Sequence, residues 1–350
     1  MIHIKFSFTI LLLIFELTMK NDNDIDNIDN NNYKTLIKYN FKKKSNLKKI
    51  PIAFSTDHNY IYPLIVLLTS ILYNSSPKTY YSFHILVSAN FTEQDINKFL
   101  GLVQIYPNCE FIVHDMGESY KNWTICGKYT QTVYYRLSLS DIIKDLDKII
   151  YLDVDTIVHK DLTELYNLEM GNYYYMGFPA HETGYLEING THNFINSGVI
   201  LINLKELRKM NATKLFVNYY NNFGTKKVDE YLINAVFYNK IKFLPFKYGI
   251  PDFEPNPIIA SPTVFYNSLN GFCPGTPEDM INGSQNRSIT HGAYKQEKWW
   301  SRNYDELTDI GKSWIFYASK THLFDEICEK YSHYKNICDK IKTDNIKNNN

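Results

Sequence analysis

Apolar and polar positions fall into two alternating patterns from residue 50 onward. Short apolar runs, typical of buried strands, alternate with longer stretches whose apolar residues recur at helical spacing. The pattern predicts strands at 52–55, 83–87, 110–114 and 148–152, and helices at 62–73, 93–105 and 130–143. Strands alternating with helices of this length predict βαβ units in an α/β fold with a mainly parallel sheet. Because ligands bind at the carboxyl ends of such strands, candidate chemistry should follow each strand.

The residues before this pattern predict a different organisation. Residues 6–19 form a mostly apolar run after Lys5, which matches a signal-peptide core and is short for a membrane span. A cleaved signal peptide and a short signal anchor both fit 1–19, and no small-x-small cleavage site is evident, which slightly favours the anchor. Residues 20–49 are rich in asparagine and then lysine, which predicts a flexible polar stem. We expect the folded domain at 50–325 and a C-terminal tail at 326–350.

Two further features agree with passage through the secretory pathway. Glycan-acceptor sequons, which are used only in that pathway, occur at Asn74, Asn90, Asn122, Asn189, Asn211, Asn282 and Asn286. The five cysteines contain no C-x-x-C motif, and Cys328–Cys338 and Cys109–Cys126 are candidate disulfides, with one thiol left over. We therefore expect a glycoprotein in the lumen of the Golgi or ER, with a type II membrane anchor, or secreted if the N-terminal segment is cleaved.

Overall charge says little about a partner. Lysine plus arginine equals aspartate plus glutamate at 37 each, so no net field favours nucleic acid or an acidic membrane surface. The 29 tyrosines and 21 phenylalanines would suit stacking on sugar rings, but aromatic side chains fill ordinary cores equally well. Composition therefore argues against a polyanion partner and leaves the substrate to the motifs.

A polar cluster follows the first predicted strand. Asp57 and Asn59 carry short polar groups suited to a ribose or a base, and Tyr60 offers a ring that can stack on a base. The same residues also suit a turn that caps the next helix, where Asp and Asn are favoured. From this segment alone the two interpretations are equally good.

An acidic pair follows the strand predicted at 148–152. Asp153 and Asp155 are two residues apart, so both carboxylates can face one divalent cation, which would neutralise a diphosphate. Similar acidic pairs, such as Asp145 with Asp147, have the same spacing but look like solvated loop charges. The apolar strand before Asp153 favours a metal site over a structural ion pair, because acidic groups at the edge of a core need a compensating cation.

Three later segments carry further candidate groups. Asn196, Ser197 and Gly198 precede an apolar strand, and the small residues let a ligand approach the backbone, or form a tight turn. Asp229 and Glu230 begin a helical pattern, where acidic residues also suit the helix dipole. A late histidine can complete a metal site and a lysine can bind phosphate, which makes candidates of His291 and Lys298.

Together and in this order, the motifs resemble glycosyltransferase family 8, which includes glycogenin and bacterial lipopolysaccharide galactosyl- and glucosyltransferases. The resemblance spans roughly residues 50–324 and implies a GT-A type, Rossmann-like mixed sheet with helices on both faces. It implies a nucleoside site at Asp57, Asn59 and Tyr60, and an arginine, Arg136, that contacts the donor and the acidic residues. It implies manganese, or magnesium, on Asp153, Asp155 and His291. Asn196, Ser197 and Gly198 would line the donor sugar, Asp229 and Glu230 would lie beside the reacting carbon as catalytic residues together with Asn196, and Lys298 would hold the diphosphate.

The implied function is retaining, manganese-dependent transfer of a hexose or pentose from a UDP-sugar to a glycan, glycoprotein or glycolipid. Two departures from the family pattern bear on it: the spacing from His291 to Lys298 is one residue longer, and Trp299 stands where proline is common. Glu230 replaces the usual glutamine, and is either a nucleophile or a partner of a nearby cation. The alternatives are a family member that binds UDP-sugar or glycan without transferring it, and a UDP-sugar hydrolase or pyrophosphorylase. Acceptor contacts are expected from 182–193 and 251–286.

Overall fold

The apolar runs of the sequence form two β-sheets in the computed structural model. The structure describes residues 34–40, 46–125, 127, 129–180, 194–225, 228–252, 261–269, 275–292 and 298–348. Its strands are β1 (Lys34–Asn40), β2 (Lys48–Thr56), β3 (Thr79–Val87), β4 (Cys109–Asp115), β5 (Ile149–Leu152), β6 (Thr156–Val158), β7 (Tyr175–Pro179), β8 (Ile195–Ile202), β9 (Ile241–Phe243), β10 (Tyr248–Pro251) and β11 (Ile289–His291).

Helices connect these strands. The α-helices are α1 (Ile61–Tyr73), α2 (Glu93–Ile105), α3 (Leu139–Ile142), α4 (Thr163–Asn167), α5 (Leu204–Lys209), α6 (Ala212–Phe223), α7 (Val228–Phe237), α8 (Pro262–Ser268), α9 (Pro277–Gln285), α10 (Asp309–Ala318), α11 (Phe324–Lys330) and α12 (Lys335–Asn348). Short 3-10 helices lie at His58–Tyr60, Gln131–Ser138, Tyr238–Lys240, Trp299–Ser301, Tyr304–Glu306 and Ser332–Tyr334.

The larger sheet has eight strands in the order β1-β4-β3-β2-β5-β8-β7-β9. Strands β4, β3, β2 and β5 run parallel, whereas β8 is antiparallel to both β5 and β7. The sheet is therefore mixed, with a parallel half built from βαβ units, as the alternating pattern predicted. Strand β3 is buried along all nine residues, which explains why it reads as a continuous apolar run and not as an alternating one.

Apolar side chains leave the larger sheet on both faces. One face, with Phe54 and Phe83, packs under α1, α2 and α10; the other, with Ala53 and Leu86, packs under α5, α6 and α7. The predicted helices at 62–73 and 93–105 appear almost unchanged, and the latter begins with a capping box between Thr92 and Asp95. These layers confirm the α/β fold with helices on both faces.

A second sheet of three strands, ordered β10-β11-β6, brings distant segments together. Strand β11 is antiparallel to β6, and His291 pairs with Thr156. Strand β6 begins directly after Asp155, so this register places His291 beside the acidic pair.

The structure departs from the sequence prediction at three places. Residues 34–40, expected in the flexible stem, form an edge strand that pairs antiparallel with β4. The helix predicted at 130–143 is a 3-10 helix followed by the four-residue α3. The segment 326–350, expected to be a tail, contains α12 and most of α11, and buries Ile327 and Tyr334 in the main core. Apolar residues spaced along a helix let this last segment pack where its polar composition suggested a tail.

The cysteines follow the prediction in part. Cys328 and Cys338 form a disulfide between α11 and α12. Cys109 is a free, buried thiol in β4, so its predicted pairing with Cys126 is wrong. Burial raises the pKa of the Cys109 thiol, with a further contribution from Glu110, which keeps this side chain an inert core residue. Among the described residues no helix is both long and apolar enough to cross a membrane.

Candidate active site and metal centre

The predicted metal ligands converge at the carboxyl end of β5. Asp153 and Asp155 follow this strand, and His291 ends β11. Nε2 of His291 lies 3.2 Å from Oδ1 of Asp155 and 3.8 Å from Oδ2 of Asp153. One ligand atom from each of the three residues lies within 4.8 Å of the others. Two carboxylates and an imidazole suit a divalent cation such as manganese.

Backbone pairing fixes the position of this triad. The amide of Asp153 donates to the carbonyl of Gly198 at 2.8 Å, which extends the β5–β8 ladder by one bond. The amide of Gly292 donates to the carbonyl of Asp155 at 2.8 Å, which extends the β6–β11 ladder in the same way. Asp155 is buried and Asp153 is half-buried. The acidic residues therefore stand on two sheets that meet at this point.

Gly198 leaves room for the triad because it has no side chain. A Cβ atom built at this position would lie 2.6 Å from Oδ2 of Asp153 and would overlap the imidazole of His291. Neither neighbour is the free end of a flexible surface chain, since both are held by strands. The triad itself therefore requires a glycine at position 198, and the missing side chain also lets a ligand approach the backbone.

Arg136 contacts one member of the acidic pair, Asp153, together with Asp229. Its Nη2 donates to Oδ1 of Asp153 at 2.8 Å and its Nη1 donates to the carbonyl of Ser197 at 2.7 Å. Its Nε lies 3.1 Å from Oδ2 of Asp229, and its guanidinium carbon lies 4.2 Å from the centre of the Tyr151 ring. Burial alone would lower the pKa of Arg136, but the two carboxylates raise it above its usual range. This arginine stays charged and fixes both acidic groups.

Asp229 is buried against Arg136 and is 2% exposed. Its Oδ2 receives no aligned hydrogen bond from the described residues, because the Nε–H of Arg136 points to the carbonyl of Val133 at 3.1 Å. Burial raises the pKa of Asp229 and Asp153 adds to the rise, while Arg136 opposes it. The carboxylate is thus a buried partner of Arg136 and is turned away from a direct role as nucleophile.

Glu230 lies on the same helix turn but points elsewhere. Its Oε2 accepts a hydrogen bond from Nδ2 of Asn196 at 2.8 Å, and Oδ1 of Asn196 accepts from the amide of Gly198 at 2.9 Å. Glu230 is half-buried. Glu230 is therefore linked through Asn196 to the backbone of Gly198, whereas Asp229 lies against Arg136.

Lys298 reaches the triad from the other side. Its Nζ donates to Oδ2 of Asp155 at 2.5 Å and to the carbonyl of Gly292 at 3.0 Å. Burial alone would raise the pKa of Asp155, but Lys298 and His291 lower it well below its usual range. The two oxygens of Asp155 have different partners: Oδ1 faces His291, and Oδ2 accepts from Lys298. Lys298 therefore lies within the candidate site, despite its longer spacing from His291.

The polar cluster after β2 serves as a cap and also borders the site. Oδ1 of Asp57 accepts from the amide of Asn59 at 2.9 Å, as in a capping turn, and its Oδ2 accepts from Oγ1 of Thr130 at 3.2 Å. Asn59 is exposed. Burial raises the pKa of Tyr60, with contributions from Asp57 and Asp155 and an opposing one from Lys298, so its hydroxyl lies within electrostatic reach of the triad.

Three residues of the site were missed in the sequence. Tyr151 stacks on Arg136 and its hydroxyl donates to Asp153 at 3.2 Å. Asn234 exchanges hydrogen bonds of 2.9 Å with both backbone groups of Ile195, which fastens α7 to β8. Tyr129 is 59% exposed and lies within electrostatic reach of Asp153. Asn234 could have been found in the sequence, because it lies one helical turn after Glu230. Tyr151 and Tyr129 could not, because in the sequence they look like ordinary core or loop aromatic residues.

Part of the predicted acceptor region lies outside the described residues, namely all of 182–193 and, within 251–286, residues 253–260 and 270–274. A groove of about 700 Å³ lies between the β7–β9 edge and α9, with Phe243, Phe246 and Asn282 in its lining. None of the predicted donor-binding and metal-binding residues lines this groove, although Asn282 belongs to the predicted acceptor region 251–286, so the triad defines the candidate active site.

Comparisons with known proteins point to one family. The family described as "Glycosyl transferase family 8" matches residues 51–250. A putative glycosyltransferase of Haemophilus influenzae is 28% identical over 55% of this chain and 61% of its own length. A lipopolysaccharide 1,2-glucosyltransferase of Escherichia coli is 26% identical over 57% of this chain and 61% of its own length. The chain thus spans less than two thirds of these relatives.

Solved structures agree on the fold. The galactosyltransferase LgtC, solved with donor and acceptor sugar analogues, superimposes with a TM-score of 0.63 at 21% identity, covering 78% of this chain and 96% of that one. The bifunctional glycosyltransferase WbbM gives a TM-score of 0.63 at 18% identity, covering 83% of this chain and 53% of that one. At these identities the likeness shows the fold alone, which is GT-A.

The predicted location is wrong. The relatives described above, and a lipopolysaccharide 1,3-galactosyltransferase of Salmonella typhimurium, come from bacteria, which have no Golgi or ER. The predicted signal segment, 1–19, lies outside the described residues. The sequon at Asn74 has a structural use, because its Nδ2 donates to Ser70, Val158 and Tyr317.

Proposed function

This chain belongs to glycosyltransferase family 8, and from that premise we propose that it transfers a hexose or pentose from a UDP-sugar to a glycan, glycoprotein or glycolipid acceptor with retention of configuration. The observation that supports the proposal is the convergence of Asp153, Asp155 and His291 beside Lys298 at the carboxyl end of β5. This is the edge at which α/β sheets bind nucleotides.

The three ligands would hold manganese or magnesium. Their donor atoms fit a divalent cation, and Gly198 leaves the space beside His291 and Asp153 open. When bound, the cation supplies positive charge to a diphosphate whose sugar bond is breaking. Lys298 adds a second positive charge beside the cation, and the hydrogen bond from Arg136 orients Asp153 as a ligand.

The remaining residues would bind the two ends of the donor. Asp57, Asn59 and Tyr60 border the site after β2, where they would contact the nucleoside. Asn196, Ser197 and Gly198 lie on the opposite side, next to Glu230, where they would contact the sugar. Asp229 would act indirectly, as the buried partner that holds Arg136 in place.

Glu230 and Asn196 would lie nearest to the reacting carbon. The carboxylate would either form a covalent intermediate or assist attack by the acceptor from the same face. Asn196 fixes its orientation through the 2.8 Å hydrogen bond. Both versions give retention of configuration and differ in whether the carboxylate is needed as a nucleophile.

The test compares two acidic pairs of identical spacing. Asp153→Asn with Asp155→Asn should abolish metal-dependent UDP release, because both carboxylate ligands become neutral amides. The control is Asp145→Asn with Asp147→Asn, which changes an acidic pair outside the site; Asp147 is exposed and paired with Lys205 and Arg208. Full activity of the first variant would refute the site assignment, and equal losses in both would show a nonspecific effect.

A further inference from the structure

Asp252, a buried acidic residue, contacts both segments that carry the imidazole and the ammonium group of the site: its backbone amide bonds the His291 segment and its carboxylate bonds the Lys298 segment. Asp252 follows β10 directly and is 3% exposed. Its Oδ2 accepts a hydrogen bond from Nε1 of Trp299 at 2.7 Å. Its two oxygens also accept from Oγ1 of Thr308, at 2.9 and 2.8 Å. Asp252 belongs to neither of the acidic motifs of the sequence.

The first connection leads to the metal ligand. The backbone amide of Asp252 donates to the carbonyl of His291 at 3.1 Å, directly beyond the parallel pairing of β10 with β11. The end of β11 therefore cannot shift without moving Asp252. The imidazole of His291 is carried by this strand end, so its distance from Asp155 depends on this backbone hydrogen bond.

The second connection leads to the lysine. Trp299 follows Lys298 and is 1% exposed. Its ring fills the space that two glycines leave open: a Cβ on Gly292 would lie 3.3 Å from Cζ2 of Trp299, and one on Gly311 would lie 2.9 Å from Cδ1. The hydrogen bond to Asp252 fixes the rotation of the indole in this slot. The neighbouring Lys298 is thereby held where its ammonium meets Asp155.

Burying the carboxylate of Asp252 lowers the stability of the fold unless its hydrogen bonds compensate for the lost hydration. Burying an ionised group is unfavourable unless it is fully hydrogen-bonded, and apolar replacements are often neutral for stability. Thr308 already caps α10 through the amide of Gly311 at 3.0 Å, so the helix start does not need Asp252. The bonds of Asp252 to Trp299 and His291 are the ones that reach the site.

We propose that Asp252 is a positioning residue that sets His291 and Lys298 at their working distance from Asp155. It does not touch the donor; it acts through the strand end of His291 and the indole of Trp299. The inference rests on the proposed function, since it assigns the positioned groups to a metal and a diphosphate. Its consequence is a site whose metal and diphosphate binding depend together on one remote carboxylate.

Calorimetric titration of the whole chain tests the proposal, first with Mn²⁺ alone and then with UDP in saturating Mn²⁺. Asp252→Ala keeps the backbone amide that bonds His291 but removes the carboxylate that anchors residue 252 to Trp299 and Thr308. It should weaken UDP by about tenfold or more, because the hydrogen bond that orients the lysine-bearing segment is lost, and Mn²⁺ by less, because the bond to His291 remains. Asp252→Asn, which keeps an oxygen acceptor for the indole, should stay within about threefold of the unmodified chain. Affinities unchanged by Asp252→Ala would overturn the proposal.

The matched control is another carboxylate with comparable bonds away from the site. Asp161 accepts from the amide of Ser76 at 2.7 Å, from the Tyr81 hydroxyl at 3.0 Å and from the amide of Thr163 at 2.9 Å. Asp161→Ala should lower the unfolding temperature and leave both affinities unchanged. Weakening by both variants alike would mean that Asp252 acts through global stability alone, which would also overturn the proposal.

A double-mutant cycle identifies the route. In the pair Asp252→Ala and Lys298→Ala, the combined loss of UDP affinity should be smaller than the product of the two single losses, since one acts partly through the other. Losses that multiply would contradict the assignment. If Asp252→Ala does not fold, Trp299→Phe removes the indole N–H from the other side of the bond and should weaken UDP similarly. A chain that binds Mn²⁺ but no UDP refutes the proposed donor, and the Mn²⁺ titrations still decide the role of Asp252.

Discussion

Gly198 occupies the tightest position of the candidate site. Its Cα lies against the imidazole of His291 and the carboxylate of Asp153, and any Cβ there would meet both. Gly198 lies in β8, whose backbone is hydrogen-bonded to β5, so the backbone cannot move away from these two side chains. The residue is therefore constrained by its neighbours' side chains and not by its own backbone conformation.

Gly198→Ala should abolish metal-dependent turnover while the protein still folds, because the methyl group displaces two metal ligands. Turnover and Mn²⁺ affinity should be measured together with the unfolding temperature. The control is Gly171→Ala, where φ is 56° and nothing lies within 4 Å of an added Cβ. Backbone strain there should cost about 1 kcal/mol of stability and leave activity intact. An active Gly198→Ala variant would show that the triad does not have this geometry.

Glu230→Gln separates the two versions of the retaining mechanism. The amide keeps the size of the side chain but cannot act as a nucleophile. If a covalent intermediate forms on this residue, turnover should fall by at least about a thousandfold while UDP affinity stays the same. Undiminished turnover in a steady-state assay would eliminate the covalent version and leave attack from the same face.

At the scale of single residues, the sequence predicted the charged groups, Arg136 among them, and missed Tyr151 and Asp252. Asp153 and Asp155 were recognisable because an apolar strand precedes them and acidic groups at the edge of a core need a compensating cation. Tyr151 contacts Asp153 and Arg136 but looks like an ordinary core aromatic, and Asp252 contacts Trp299 and Thr308, which lie 47 and 56 residues further along the chain. Asp57 shows that the two interpretations of a motif can both hold, since it caps a turn and borders the site.

Among the secondary-structure elements, β3 and β4 carry a buried histidine pair across the parallel half of the sheet. Nδ1 of His84 lies 3.1 Å from Nε2 of His114, and the rings stack. Burial lowers the pKa of His114 to about 4, although Asp145 opposes the shift. The unfolded chain, with a histidine pKa near 6.5, takes up a proton below that pH which the folded chain does not.

Stability should therefore fall as the pH drops from 6.5 towards 4, with His114 contributing about 2 kcal/mol of loss at pH 5. Chemical unfolding at pH 7 and pH 5, with a chelator present to exclude metal effects, measures the difference. His114→Gln should reduce it, whereas His333→Gln, at an exposed position, should not. An equal pH dependence in all three proteins would mean that folding does not lower the pKa of His114.

The C-terminal helices α11 and α12 should depend on their disulfide. Cys328 and Cys338 are ten residues apart, and closing a loop of that size stabilises a fold by about 3 kcal/mol in the chain-entropy model. Cys328→Ser with Cys338→Ser should lower the free energy of unfolding by that amount under oxidising conditions. Adding a reductant to the unmodified chain should reproduce the loss. No difference between the two proteins would show that the bond is absent in solution.

Element prediction succeeded where the apolar period was long and unbroken. Helices α1 and α2 and strands β2 to β5 follow their apolar patterns closely, because each packs against the sheet core on its own. Strand β1 was missed, since its residues gain their partners from β4, far along the chain. The helices after residue 324 were missed because few of their positions are apolar, and those few are the ones that reach the core.

For the molecule as a whole, the site is a product of topology. Asp153 and Asp155 follow β5, Gly198 lies in β8 and His291 ends β11, so segments more than a hundred residues apart meet where the two sheets join. The order of the motifs, and not any one of them, identified the family. The location in the secretory pathway was predicted from a terminal segment and sequons, which are independent of the fold. This prediction was wrong, although the family and the fold were predicted correctly.

The most direct test of the central claim is UDP release by the purified chain against a panel of UDP-sugars, with Mn²⁺ and with chelator. The account predicts that one donor is turned over with Mn²⁺ and not with chelator, and that its sugar is recovered on an acceptor with retained configuration. Tight binding of UDP without turnover of any donor would contradict the account and indicate a member of the family that binds its ligand without transferring the sugar.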